Sequence, residues 1–292
     1  MNIYIVKGYF HHMNKRSLND MIEYSNWNRV ESIEGADVIY SPSTFLDTTK
    51  HPDKQFIFGP HFSVFPNSSA RQISGENNNA IYIQPSQPSV DTWVDEFSFK
   101  NIPVKEFPFP LRLEDYKVSE EDKDIALIYY KQRSPEELNA LKSFVESKGL
   151  KYELITYGSY KEDDYQKKLN RAKFVIWLGR HESQGFALQS VMCKNIPLLV
   201  WGVKLRSQEE GCPAEYYNVK SEVSTVPYWD KSCGELFFKE NELEDKYNYF
   251  VENLDKYQPR KFIHDNLTVE KCSERFIKLI SDIKKHQKQE VE

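Results

Sequence analysis

At 292 residues the chain exceeds the usual span of one compact domain, so two domains are the simpler expectation. Hydrophobic residues at 39%, aromatics at 14% and charged residues at 28% fit a soluble folded protein with aromatic-rich cores or binding surfaces. A net charge of −5 argues against a nucleic-acid partner, and no stretch approaches 18 consecutive apolar residues, so no membrane span is expected.

The N-terminal "MNIYIVKGYF" carries an apolar run too short for a signal-peptide core and reads as a first buried strand, which points to a cytoplasmic protein. "NIYIVKG", "ADVIYSP", "KQFIFGP", "AIYIQPS" and "VKEFPFP" each hold a strand-forming core closed by Gly, Pro or Ser. Helical patterns over Ser17–Ser25 and Ser89–Phe99, with Ser89 as N-cap, fit between some of them. Apolar runs alternating with helices imply a mostly parallel sheet covered on both faces. Asn67–Asn79 is polar without periodicity and reads as an exposed loop. The charged stretch Glu114–Asp124 is the expected linker, giving an N-terminal domain over 1–115 and a C-terminal domain over 116–292.

A more regular series follows. "DIALIYYK" is a strand, Ser134-Pro135-Glu136-Glu137 starts a helix with carboxylates at its positive end, and "KYELITYG" is the next strand. Lys161–Ala172 is an amphipathic helix, "KFVIWLG" a strand, Gly185–Lys194 a helix and "IPLLVWG" a strand. Beyond Val226 the chain reads as helical, over Glu240–Tyr257 and Thr268–Lys285. The four cysteines show no zinc-like spacing.

In open parallel sheets ligands sit outside the carboxyl ends of the strands, which directs attention to three loops. Lys131 and Arg133 put two cations at one strand end. Tyr157, Gly158 and Tyr160 offer close backbone approach between aromatic rings. Gly185 and Phe186 open a helix whose unpaired amides and dipole favour an anion. Glu182 suits hydroxyl groups, and as a strand-end carboxylate it is expected to carry no core packing. Phosphate, hydroxyls and a flat base together describe a nucleotide sugar.

"HESQGFALQSVMCKNIPLLVW" resembles the donor-site motif of retaining GT-B glycosyltransferases, roughly E-S-x-G-x-x-x-x-E-A before a proline-led strand, and "YWDKSCGELF" resembles a later segment of the same domain. The resemblance covers roughly Asp124–Asp230. It implies a GT-B fold, two Rossmann-like domains facing across a cleft, with a C-terminal helix free to return and brace the first domain. It implies a hexosyl- or pentosyltransferase using a nucleotide diphosphate sugar as substrate, with a glycan or other hydroxyl acceptor. Catalytic roles fall to Glu182, His61 and Lys131. Donor binding falls to Arg133, Tyr157, Gly158, Tyr160, Ser183, Gly185, Phe186 and Ser190, and the acceptor side to His11 and His12. Ser190 stands where the family has a second glutamate on the ribose hydroxyls, which leaves open a catalytically decayed protein that binds sugar nucleotide or glycan. A sugar-nucleotide epimerase shares the architecture but needs carboxylate acid/base pairs, and none is clearly placed. No DxD-like motif stands in a suitable loop, so neither metal nor cofactor is expected.

Overall fold

A computed structural model describes residues 1–73 and 79–289. The chain forms two compact units, one of residues 1–111 with the segment from Leu267 onward, the other of residues 112–266.

The first unit carries strands β1 (Asn2–Ile5), β2 (Asn28–Arg29), β3 (Val38–Ser41), β4 (Gln55–Phe58), β5 (Ala80–Gln84) and β6 (Val104–Glu106). All pair in parallel, in the order β2-β1-β3-β4-β5-β6. Val38, Ile39, Tyr40, Phe56, Ile57 and Phe58 have no exposed surface, as an unbroken apolar run covered on both faces requires. The chain leaves β1 on one side for β2 and returns on the other for β3, so its direction of winding reverses between β1 and β3. Tyr82 stacks on Trp93 at 4.2 Å within the core beneath β4 and β5.

Helix α1 spans His12–Tyr24, beginning five residues before the expected Ser17, because the polar "HHMNK" hides a first turn that buries Asn14. The expected polar loop contains α2 (Ser68–Gln72), capped by the Asn67 side chain on the Ala70 amide at 2.9 Å, and residues 74–78 of that loop lie outside the described residues. The helix expected from Ser89 is α3 (Gln87–Asp91), with Ser86 at its N-cap, and it runs on into a π-helical turn over Thr92–Glu96.

The second unit carries β7 (Ile125–Lys131), β8 (Tyr152–Thr156), β9 (Ala172–Gly179), β10 (Leu198–Trp201) and β11 (Gly234–Phe237), with helices α4 (Pro135–Ser147), α5 (Glu162–Arg171), α6 (Phe186–Cys193), α7 (Leu243–Glu252) and α8 (Pro259–Asn266). Its parallel strand order is β11-β10-β9-β7-β8, so winding reverses between β7 and β9. The helix start expected at Ser134–Glu137 is present, closed by a capping box that Ser134 and Glu137 form. The region after Val226 is not wholly helical: β11 intervenes, and α8 adds an unanticipated helix.

The last helix, α9 (Val269–Gln289), belongs to the first unit, which is the return of a C-terminal helix that the resemblance allowed, and lies outside the 116–292 domain drawn from the linker. Its apolar face explains why. Phe276 is fully buried with ring centroids 5.2 Å from both Trp27 and Phe107, and the Leu111 amide donates to the Leu267 carbonyl at 3.2 Å. The segment just after Leu111 is tied instead to the second unit, where Arg260 donates to the Tyr116 carbonyl at 2.6 Å and the Leu113 carbonyl at 3.2 Å. Cys193, Cys212, Cys233 and Cys272 are free thiols. Among the described residues no helix is long and apolar enough to cross a membrane.

Candidate functional site

The reversal between β7 and β9 leaves a crevice at the carboxyl ends of those strands, where open parallel sheets bind ligands. Pairing continues one residue beyond β9, with the Arg180 amide donating to the Lys131 carbonyl at 2.9 Å. That register brings Lys131, the last residue of β7, opposite the chain leaving β9. Its ammonium lies 2.6 Å from the Glu182 carboxylate, and only 8% and 12% of the two side chains are exposed. Lys131 also sits 4.3 Å above the ring of Tyr157, which is half exposed. The Glu182 amide donates to the Ser224 carbonyl at 2.9 Å, fixing the backbone from which the carboxylate projects. Glu182 is thus a partner in a shielded ion pair, where the sequence led us to expect a strand-end carboxylate without core packing.

Gly185 caps α6 with φ +79°, a left-handed conformation that favours glycine. A Cβ there would meet the Glu182 Cβ at 3.5 Å and its Cγ at 3.7 Å, so the backbone turn brings the helix start against the stem of that side chain. The first-turn amides of a helix have no intrahelical acceptor, and Phe186 and Ala187 stand at that position. Ser183 is exposed, whereas Gln184 is buried and shares a hydrogen bond with Gln189, whose amide also donates to the Gln184 carbonyl at 2.8 Å.

Tyr157 and Gly158 are exposed after β8, and Gly158 has open space where a Cβ would go. Tyr160 is partly buried, with its hydroxyl 3.4 Å from that of Tyr129, which stacks flat on Trp177 at 3.9 Å. Tyr165 completes the group, 5.2 Å from Tyr160, and its hydroxyl donates to the Ala187 carbonyl at 3.1 Å.

Two expected donor-site residues are placed otherwise. Arg133 is 1% exposed, with its guanidinium donating to both Glu137 oxygens and to the carbonyls of Trp201 at 2.8 Å and Gly179 at 3.3 Å. It clamps the ends of three strands and leaves no face for a ligand. Ser190 is 4% exposed and donates to the Ala187 carbonyl at 2.7 Å, three residues back in its own helix. A hydroxyl satisfied by its own backbone and packed beside Tyr165 is not aimed at a ribose.

The sequence reading missed a buried network next to Glu182. His181 Nδ1 lies 2.5 Å from a Glu209 oxygen that also accepts the His181 amide at 3.0 Å, and Arg206 approaches Nε2 at 2.8 Å. Burial lowers the His181 pKa against the opposing pull of Glu209. Neutral His181 then donates from Nδ1 to Glu209 and accepts at Nε2 from Arg206. With Ser224 holding Glu182, the long connection between β10 and β11 grips the β9–α6 turn at two points. The adjacency of His181 to Glu182 was the only available signal, since Arg206 and Glu209 lie in a segment without pattern.

In the first unit the histidines after β1 and β4 converge. His11 caps α1, its ring 4.4 Å from His12 and 6.4 Å from His61, and Tyr9 meets His61 edge-on at 5.5 Å. The His61 amide donates to the Pro42 carbonyl at 2.8 Å, placing it at the β1/β3 reversal. Burial, then His11, pushes the His61 pKa down to about 4, and burial followed by His12 lowers that of His11. Among the described residues no group of three or more His, Cys, Asp or Glu could hold a metal ion.

Solved structures share this architecture. The chain aligns with a sucrose-phosphate synthase from Thermosynechococcus elongatus at a TM-score of 0.57 and 9% identity, over 97% of this chain and 98% of that one. It aligns with a chain of a GtfA/B complex at a TM-score of 0.54 and 10% identity, over 84% of this chain and 57% of that one. The fold is GT-B. A chain of a glycosylation-associated protein (Gap123) complex from Streptococcus agalactiae matches at a TM-score of 0.50 and 12% identity, over 84% of this chain and 54% of that one. No family model and no curated protein sequence matches.

Proposed function

We propose that this protein transfers a sugar from a nucleotide diphosphate donor to a hydroxyl of a glycan or similar acceptor, with retention at the anomeric carbon. The observation that carries this reading is the Lys131–Glu182 pair at the β7/β9 reversal, against the Gly185-led start of α6. An incoming diphosphate competes with Glu182 for Lys131 and bonds the first-turn amides of α6. Release from Lys131 frees the carboxylate to accept hydrogen bonds from the donor sugar. The bond between the anomeric carbon and the diphosphate oxygen breaks, and its electron pair leaves with the diphosphate. The acceptor oxygen bonds that carbon and its proton passes to the departing diphosphate, so the protein supplies positioning and charge and no covalent step.

Tyr157, Gly158 and Tyr160 support the nucleotide base in this reading, His61 the donor sugar, and His11 and His12 the acceptor. The test is turnover of UDP- and GDP-sugars with an acceptor panel, run with and without EDTA. Turnover that Glu182→Gln lowers by two orders of magnitude or more, and that EDTA leaves unchanged, is the expected result. Sugar isomerisation without acceptor would point to an epimerase.

The inward-facing Ser190 hydroxyl favours a second reading, a GT-B-fold protein that binds sugar nucleotide or glycan without turnover. Calorimetric binding of a nucleotide sugar with no product under any acceptor condition would select it.

A further inference from the structure

Three cations stand at the ends of β7 and β9. Lys131 is paired with Glu182, and Arg133 is spent on Glu137 and two carbonyls. Arg180 differs. Its amide bonds the Lys131 carbonyl, but among the described residues its guanidinium makes no hydrogen bond or ion pair, and its Nε is shielded from water. The charged groups around it are Arg206, His181 and Glu209, with the Cys212 thiol nearby. Glu209 offers little relief, because one of its oxygens already takes both the amide and the ring of His181. A partly desolvated cation without a partner is costly, and a bound anion removes that cost.

We propose that Arg180 is an anion-recognition residue that takes a phosphate group of the ligand, the role the sequence assigned to Arg133. The inference rests on the nucleotide-diphosphate reading of the same strand ends. A guanidinium suits the task because its planar fork bonds two phosphate oxygens at once, which a lysine ammonium cannot do. The neighbouring Arg206 adds positive potential, and the buried His181–Glu209 contact holds the β9–α6 turn in place behind it.

The experiment is calorimetric titration of wild type, Arg180→Gln and Arg180→Lys with UDP, GDP and inorganic pyrophosphate, with melting curves to establish folding. The expected result is a loss of affinity of about tenfold or more for diphosphate in Arg180→Gln, partly restored in Arg180→Lys at an unchanged melting temperature. Equal affinity in wild type and a folded Arg180→Gln protein overturns the inference and leaves the proposed function standing. Pyrophosphate binding that depends on Arg180, with no affinity for any nucleotide or nucleotide sugar, supports the inference and overturns the proposed function. If wild type binds neither nucleotide nor pyrophosphate, both fall. Should Arg180→Gln fail to fold, Arg180→Lys carries the comparison, and undiminished affinity there with loss of the fork overturns the bidentate contact.

Discussion

Lys131 and Glu182 have given up most of their water for each other at 2.6 Å, and that exchange sets what their loss would do. Glu182→Ala leaves an ammonium nearly buried without its counter-charge, and we expect it to lower stability by about 1–3 kcal/mol as well as to remove activity. Replacing both partners with apolar residues, Lys131→Met with Glu182→Leu, removes the stranded charge and should recover most of that stability while recovering no activity. Urea denaturation of the two single variants and the double variant measures this, and strictly additive losses would mean that the pair is not a unit. The place of Glu182 beside the start of α6 was legible in its spacing from Gly185. Its pairing was not, because Lys131 lies 51 residues away and meets it only through the β7–β9 register. Arg133 was misread for a related reason. A cation two residues beyond a strand looks solvated in sequence, and nothing local shows that Glu137 and the carbonyls of Gly179 and Trp201 close around it.

Helix α6 shows the same division at the scale of an element. Its start was legible, since a glycine after a strand and before an apolar run marks a left-handed cap, and Gly185 has φ +79°. Its inner face was not. Ser190 lies beneath Tyr165, so Ser190→Glu would drive a carboxylate into a site with 4% exposure. We expect a melting temperature several degrees lower and no gain in nucleotide affinity. Tighter UDP or GDP binding that vanishes with a 2′,3′-dideoxy nucleotide would restore the ribose contact for position 190. Elements with unbroken apolar runs, such as β3, β4 and β9, were found within a few residues. Strand β11 was missed because half of its four residues are only partly buried and it opens on Gly234, so neither run nor alternation marks it.

For the whole molecule, the alternation of apolar runs and helices sufficed for two parallel-sheet units, whereas the return of α9 came only with the family resemblance, because its partners Trp27, Tyr40 and Phe107 lie far back in the chain. Acid stability reports on both units. His61, with its pKa pushed down to about 4 from 6.5, binds a proton more readily unfolded than folded across that interval. Its contribution is therefore complete above pH 6.5 and is lost as pH falls through about 4. His11 and His181 are lowered in the same direction. Asp124, held at about 2 by hydrogen bonds from Arg171 and Lys151, acts only below this window. The melting temperature should fall steadily over this acid interval, and less steeply in His61→Gln. A flat profile would contradict the partly buried imidazole whose proton affinity falls on folding.

In the proposed function a nucleotide diphosphate binds where β7 and β9 part. A crystal soaked with UDP or GDP tests it most directly. Phosphate oxygens within hydrogen-bonding distance of the first-turn amides of α6, with Lys131 drawn from Glu182 toward them, are the expected result. A nucleotide held elsewhere on the chain, with the Lys131–Glu182 pair intact, would contradict it.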